Sequence, residues 1–210
     1  THGIVLGGQS ESMAPADRRI YALRDSTGTV PSLPLIASSI MSKKLALGAG
    51  TLVLDVKWGR GAFRKTRAEA VELATALRDV ARASGVACEA LITDMNEPLG
   101  PALGTACEVR AALAVLDGGG DIRLREVTVA LGVEAMVLRG HGRASARRHL
   151  EAVLDDGRAR TAWDGMITAH GGDPDPDHLP QPSAENVRRA WAPDSAPQRE
   201  SKREQRRLPR

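Results

Sequence analysis

The spacing of apolar residues in the middle of the chain predicts two buried strands joined by a helix. Residues 51–57 form a mainly apolar run with β-branched members, and residues 86–93 show alternating and then continuous apolar character, as is typical of buried strands. Between them, Thr66-Arg-Ala-Glu69 has the pattern of a capping box and opens a stripe of apolar residues at helical spacing that ends at Gly85. We therefore expect a βαβ unit with parallel strands and a right-handed crossover.

Helices are predicted on both sides of this unit. Before it, helical segments span residues 16–23 and 35–47, and a proline-broken loop separates them. After it, four further helices are predicted, over residues 102–116, 124–138, 144–155 and 158–169.

The fold class is therefore α/β, with a βαβ-containing sheet that belongs to a larger α/β domain. We divide the chain into four parts. These are residues 1–13, which begin that domain with a short strand over 2–8; residues 14–48, a helical segment; residues 49–180, the α/β core with the helices that follow; and residues 181–210, a tail.

Charge is distributed unevenly between the tail and the rest of the chain. Residues 182–210 contain eight Lys or Arg and four Asp or Glu, whereas the other residues contain 21 basic and 22 acidic groups. Few apolar residues are available for burial in this basic tail, so we expect it to be disordered. A nucleic-acid partner would have to bind the tail alone, which has neither interleaved aromatic residues nor a known binding motif. The composition therefore does not favour nucleic-acid binding.

Cysteine usage and hydropathy favour a cytoplasmic protein that does not span a membrane. Cys88 and Cys107 are too few for a disulfide framework or a metal cluster, and both lie among apolar residues as buried thiols do. No window of the sequence approaches the roughly 18 consecutive apolar residues of a membrane span.

A set of hydrogen-bond donors interrupts the apolar pattern in the helical segment. Ser39 and Lys43 lie four residues apart on the helix predicted over 35–47, so their side chains project from one face, beside the apolar Ile36. Arg24 precedes them on a short polar loop. A hydroxyl, an ammonium and a guanidinium together would form a pocket wall for a flat ligand whose carbonyl oxygens gain negative charge.

Each of these residues also has a purely structural interpretation. Arg24 could form a local ion pair with Asp25 at a helix end. Ser39 could donate a hydrogen bond back to its own turn of helix. Lys43 could lie in solvent with Lys44, where the helix dipole favours cations.

The run from Tyr21 to Lys44 resembles the pyrimidine-nucleoside phosphorylases, a family that includes thymidine phosphorylase. Five further blocks resemble that family in its order and spacing, so that the resemblance extends over roughly residues 3–180. These blocks are Ala14-Pro-Ala-Asp-Arg-Arg19, Leu52-Val-Leu-Asp-Val-Lys57, Gly61-Ala-Phe63, Leu91-Ile-Thr-Asp-Met-Asn96 and Pro98-Leu-Gly100.

The resemblance implies a pentosyltransferase of pyrimidine salvage that converts thymidine and phosphate to thymine and 2-deoxyribose 1-phosphate. It implies that Arg24, Ser39 and Lys43 bind the pyrimidine and that Tyr21 lines the same pocket. It also implies a homodimer in which a small all-helical lobe, here residues 14–48, closes on a larger α/β lobe. We identify no catalytic side chain in this chain.

The family's phosphate-binding signature lies upstream of the matched region. We therefore expect this chain to be an internal or truncated portion that lacks the N-terminal phosphate-binding segment and the C-terminal part. Phosphate would be the co-substrate of the complete enzyme. The alternative is a catalytically incomplete remnant that acts only as a base-binding or dimerisation module.

The resemblance also implies a potassium site built from the backbone carbonyls of Leu99 and Ala102 and one carboxylate. The position of that carboxylate falls on Ala111. A site for a hard cation is weakened when its anionic ligand is lost, so this departure argues against bound potassium.

Overall fold

A parallel βαβ unit is the central element of the computed structural model, which describes residues 3–7 and 13–180. Strand β1 (Thr51–Trp58) pairs in parallel with strand β2 (Ala87–Asp94) along its whole length, and helix α3 (Arg67–Ala83) connects them. The predicted βαβ unit and the α/β fold class are thus confirmed. The tail over 181–210, predicted to be disordered, lies outside the described residues.

Helices flank this unit on both sides, at the places that the sequence predicts. Helix α1 (Pro15–Thr27) and helix α2 (Leu33–Ala46) precede β1, and α1 extends further into the predicted loop than expected. After β2 come α4 (Thr105–Leu116), α5 (Ile122–Leu138), α6 (Arg143–Asp155) and α7 (Arg158–Ala169), followed by a short 3₁₀ helix over Pro176–His178.

The strand predicted over residues 2–8 is not formed at residues 3–7, so the prediction is wrong there. Ile4, Val5 and Leu6 have half or more of their surface exposed. A strand satisfies its backbone by pairing with another strand, and neither of the two described strands pairs with this segment.

Two hydrophobic clusters form the core. The first joins α2 to the βαβ unit: Ala37 and Met41 of α2 are buried with Leu54 and Val56 of β1 and with Leu77 of α3. The second lies among α4, α5 and α6 and consists of Val115, Val129, Val133, Ala146 and Leu154. Because α2 packs directly on α3 and β1, the assignment of residues 14–48 to a separate lobe stays a prediction.

The turn after β1 is held against the end of β2 by two glycines. Gly59 has a φ of +123°, and a Cβ atom there would lie 2.8 Å from the backbone nitrogen of Asn96. A Cβ atom at Gly61 would lie 3.0 Å from the carbonyl oxygen of Met95, which accepts a hydrogen bond from the Gly61 N–H. Only residues without a side chain permit this approach, and it fixes the position of Phe63, two residues further on.

No helix within residues 3–7 and 13–180 is both long and apolar enough to cross a membrane.

The capping box predicted at the start of α3 is present. The Thr66 Oγ1 accepts a hydrogen bond from the Glu69 N–H at 3.3 Å, and the Glu69 carboxylate accepts from the Thr66 N–H at 3.1 Å and the Lys65 N–H at 2.8 Å. These contacts satisfy backbone donors that a helix N-terminus leaves free.

Replacing Thr66 with Ala is expected to lower the free energy of unfolding by about 1 kcal/mol, because the first turn of α3 loses its side-chain acceptor. Urea unfolding followed by circular dichroism measures this change. Thr75→Ala is the matched control, since Thr75 is exposed in the middle of the same helix and Ala has the higher helix propensity. An equal loss of stability in both variants would contradict a capping role for Thr66.

The stabilisation from Glu69 is expected to depend on pH. Hydrogen bonds from the backbone of Thr66 and Lys65 hold the pKa of Glu69 below its ordinary value of 4.5. A carboxyl group with a lowered folded-state pKa stabilises the fold fully above its unfolded pKa, and this stabilisation is lost as the pH falls through the folded pKa. Urea unfolding from pH 7 downward should therefore show Glu69→Ala destabilised at neutral pH and converging with the unaltered chain in acid. Glu72→Ala, on the same helix, controls for the loss of one surface carboxylate; a pH-independent effect of Glu69→Ala would contradict the assignment.

Candidate functional site

One face of α1 carries three of the residues at the site. Asp17, Tyr21 and Arg24 are spaced by four and then three positions, so they lie above one another on the helix. Asp17 and Arg24 are only 8% and 4% exposed, whereas Tyr21 is half exposed. The helix ends at Gly28, whose left-handed backbone (φ +65°) allows its N–H to bond to the Arg24 carbonyl. Arg24 therefore lies in the last turn of α1, not on a loop.

Helix α2 brings two further polar residues to the same place. Ser39, which is 7% exposed, donates a hydrogen bond from its Oγ to Asp17 Oδ2 at 3.1 Å. The Lys43 Nζ lies 2.8 Å from the same carboxylate oxygen and donates to Ser39 Oγ at 3.1 Å. Asp17, Ser39 and Lys43 thus form a closed triangle of polar contacts between the two helices.

Arg24 connects α1 to the loop that follows it and to the first turn of α2. Its Nη2 donates to the Val30 carbonyl, and its Nη1 donates to the Leu35 carbonyl at 3.4 Å. Its Nε–H is buried without a hydrogen-bond partner. The guanidinium carbon lies 5.3 Å from the centre of the Tyr21 ring, within the range of a cation–π contact. The guanidinium therefore has structural contacts and one buried donor still unused.

These contacts differ from the structural alternatives that the sequence left open. No ion pair joins Arg24 to Asp25 in the part of the chain that the structure describes. The Ser39 hydroxyl donates across to α1 and not back to its own turn. Lys43 is three-quarters buried and paired with Asp17, so it is not a solvated partner of Lys44.

The four residues predicted at the site line a single cavity of about 210 Å³. This volume is below the roughly 300–1,000 Å³ of pockets for drug-sized ligands, and it suits a ligand with one ring. The lining comes from α1, from the loop after it, from α2 and from the turn after β1; it consists of Tyr21, Arg24, Val30, Ile36, Ser39, Ile40, Lys43 and Phe63.

Charge in and behind the cavity wall is net positive. Arg24 and Lys43 are cationic, and the Asp17 carboxylate offsets one of these charges. Most of the remaining lining is apolar, which lowers the local dielectric constant and strengthens the electrostatic interactions of the charged groups. The cavity can therefore stabilise a planar ligand that gains negative charge on its oxygens.

Besides the apolar lining residues Val30, Ile36 and Ile40, two residues of this arrangement are not predicted as site residues from the sequence. Asp17 lies in the block Ala14-Pro-Ala-Asp-Arg-Arg19, and its position seven residues before Arg24 places it on the same helix face. That spacing was the signal that could have found it. Phe63 reaches the cavity through the turn after β1, and no pattern within α1 or α2 indicates this contact.

The positions implied for a potassium site lie between the end of β2 and the middle of α4. Leu99 and Ala102 belong to the segment between β2 and α4, and Ala111 lies on α4. Glu108, three residues before Ala111, accepts a hydrogen bond from the Gly104 N–H at 3.0 Å at the start of that helix. No group of three or more His, Cys, Asp or Glu suited to a metal ion occurs within residues 3–7 and 13–180.

Comparison with known proteins finds relatives that agree with the resemblance. The chain is 47% identical over 184 residues to the pyrimidine-nucleoside phosphorylase of Bacillus subtilis (strain 168), covering 85% of this chain and 42% of that protein. It is 52% identical over 162 residues to the thymidine phosphorylase of Mycobacterium tuberculosis (strain ATCC 25618 / H37Rv), covering 77% and 37%. It is 45% identical over 176 residues to the thymidine phosphorylase of Burkholderia cenocepacia (strain HI2424), covering 82% and 40%.

The chain thus spans about two fifths of the length of the curated relatives that it matches. The sequence model of the family described as "Glycosyl transferase family, a/b domain" matches residues 1–160 of the chain. The predicted resemblance to the pyrimidine-nucleoside phosphorylases is therefore confirmed, and the chain belongs to this glycosyl transferase family.

Proposed function

We propose that this chain provides the base-binding site for phosphorolysis of pyrimidine nucleosides, in which thymidine and phosphate give thymine and 2-deoxyribose 1-phosphate. The proposal rests on one observation: Arg24, Ser39 and Lys43 line the same small cavity. The thymidine and pyrimidine-nucleoside phosphorylases among its relatives support the same substrate class.

The charge of the cavity suits this reaction. When the glycosidic bond breaks, the sugar gains positive character and the leaving base gains negative charge on its oxygens and ring nitrogen. Arg24 and Lys43 are fixed cations in a mostly apolar wall, so they stabilise that charge more strongly than they stabilise the neutral nucleoside. Their contribution is therefore larger in the transition state than in the ground state.

The apolar part of the lining suits the faces of a pyrimidine ring. Ile36 and Ile40 project from α2 on the same side as Ser39, and Tyr21 and Phe63 add two aromatic rings. A flat ring held between apolar side chains presents its polar edge to Arg24, Ser39 and Lys43. The apolar residues therefore orient the ring, and the charged residues stabilise its negative charge.

Further parts of the proposal concern the complete enzyme. Phosphate is the co-substrate, residues 14–48 belong to a small lobe, and the enzyme is a cytoplasmic homodimer. Ile20 and Leu23 support an interface, because they are 47% and 61% exposed on α1. Potassium is left out of the proposal, since the position that the resemblance implies for its anionic ligand is occupied by Ala111.

The runner-up is a module that binds the base without turnover. It is favoured by the fact that every polar residue of the cavity lies where it can serve base binding, while no catalytic side chain has been identified. Thymine release from thymidine by the purified chain, with and without phosphate, separates the two functions, since only phosphate-dependent release supports the enzyme.

Thymine binding to the 210-residue chain, measured by isothermal titration calorimetry, tests the base site that both functions share. We expect Arg24→Ala to weaken binding by about ten- to a hundredfold, because a hydrogen bond from a charged donor contributes about 1.5–3 kcal/mol. Thymine binding that is unchanged in Arg24→Ala would overturn the proposal.

Two controls accompany this measurement. Arg82→Ala removes an exposed arginine of α3 and should leave thymine affinity unchanged. Circular dichroism of Arg24→Ala checks the fold, because Arg24 also holds the carbonyls of Val30 and Leu35.

Tyr21 is expected to act through its ring. Its hydroxyl makes no hydrogen bond within the described ranges, whereas its ring faces the Arg24 guanidinium. Tyr21→Phe should therefore keep thymine affinity, while Tyr21→Ala should lower it by about two- to fivefold, as expected for a contact worth about 0.5–1 kcal/mol. If Tyr21→Phe loses as much affinity as Tyr21→Ala, the hydroxyl and not the ring is the important group.

A further inference from the structure

Asp17 contacts two of the proposed base-binding residues without lining the cavity itself. Its Oδ2 lies 2.8 Å from Lys43 Nζ and 3.1 Å from Ser39 Oγ, and its side chain is 8% exposed. The contacts span 22 and 26 positions in sequence and join α1 to α2. Asp17 is therefore placed to act on a ligand through Ser39 and Lys43.

The contacts of Asp17 determine which hydrogen bonds remain available at Ser39. A carboxylate only accepts, so the single hydroxyl proton of Ser39 is directed to Asp17. An ammonium only donates, so the hydrogen bond from Lys43 occupies one of the two lone pairs of Ser39 Oγ. Ser39 keeps one lone pair and no proton, and it can meet a ligand only as an acceptor.

The same count at Lys43 gives the opposite result. Of its three N–H groups, one is directed to Asp17 and one to Ser39. The third is free to donate to a ligand. The cavity wall therefore presents an N–H donor beside an oxygen acceptor, 3.1 Å apart.

We propose that Asp17 is a positioning residue that fixes this order of donor and acceptor and so selects the edge of the pyrimidine. The inference rests on the base site proposed above. A pyrimidine-2,4-dione such as thymine presents a carbonyl oxygen beside an N–H, which complements Lys43 and Ser39. At its N3 edge, cytosine presents an unprotonated ring nitrogen beside an amino group. The ring nitrogen would then meet the Ser39 lone pair, and the amino group would meet the Lys43 N–H, so neither contact is a hydrogen bond.

Asp17→Asn keeps the size of the side chain and removes its charge. The amide can donate to Ser39, which releases the hydroxyl proton to turn toward the cavity, and Lys43 loses its anionic partner. We expect thymine binding to weaken by about tenfold or more, as for the loss of hydrogen bonds to a charged group. We also expect the ratio of thymine to cytosine affinity to fall. A residue that only tied α1 to α2 would change stability and leave that ratio unaltered.

The experiment is isothermal titration calorimetry of thymine, cytosine and 3-methylthymine into the full chain, its Asp17→Asn variant and its Asp79→Asn variant. Each base carries a methyl group at N1, where a nucleoside carries its sugar, so that only the N3 edge can offer a ring N–H. Asp79 is the matched control, because it is an exposed aspartate of α3 outside the site. The unaltered chain and Asp79→Asn should bind thymine and reject the other two ligands. Asp17→Asn should bind thymine more weakly and discriminate less against cytosine.

Each other outcome overturns a different statement. Thymine binding by the unaltered chain with an unchanged thymine-to-cytosine ratio in Asp17→Asn overturns the role of Asp17 and leaves the base site standing. Absence of thymine binding by the unaltered chain overturns the base site itself, and the role of Asp17 with it. If circular dichroism shows that Asp17→Asn does not fold, the three ligands are compared on the unaltered chain alone. Cytosine or 3-methylthymine that binds this chain as tightly as thymine contradicts an acceptor at Ser39.

Discussion

Burial of one side of α2 is the constraint on which the rest of the site depends. Ala37 and Met41 are 3% and 1% exposed, and they pack in the same cluster as Leu54, Val56 and Leu77. Removing apolar surface from water contributes about 25 cal/mol per Å², so this packing holds the helix in one rotation about its axis. The rotation that buries Ala37 and Met41 also turns Ser39 and Lys43 toward α1.

Helix α1 in turn is fixed by polar contacts more than by apolar ones. Asp17 and Arg24 are its buried residues, and both reach across to α2 or to the loop between the helices. Movement of α1 away from α2 would separate Asp17 from Ser39 and Lys43. Because a buried charge without a partner is costly, these contacts oppose that movement. The contacts that orient the proposed ligand groups are thus the same contacts that dock the helix.

Much of this arrangement follows from local sequence patterns. The capping box at Thr66 and the four-residue spacing of Ser39 and Lys43 are set by the geometry of a helix, and the structure has both where the sequence predicts them. What the sequence does not give depends on pairing between distant segments. Asp17 acquires its role only through contact with α2, and the predicted strand at residues 3–7 fails because no described strand pairs with it.

The Phe63 side chain contributes to the shape of the cavity and contributes little to the stability of the fold. The turn after β1 is held by backbone contacts between Gly61 and Met95, while the Phe63 side chain is 85% exposed and yet lines the cavity. A different side chain at this position would alter the wall of the cavity and remove almost no buried surface from the core. Position 63 is therefore where selection or engineering could reshape ligand preference at little cost in folding.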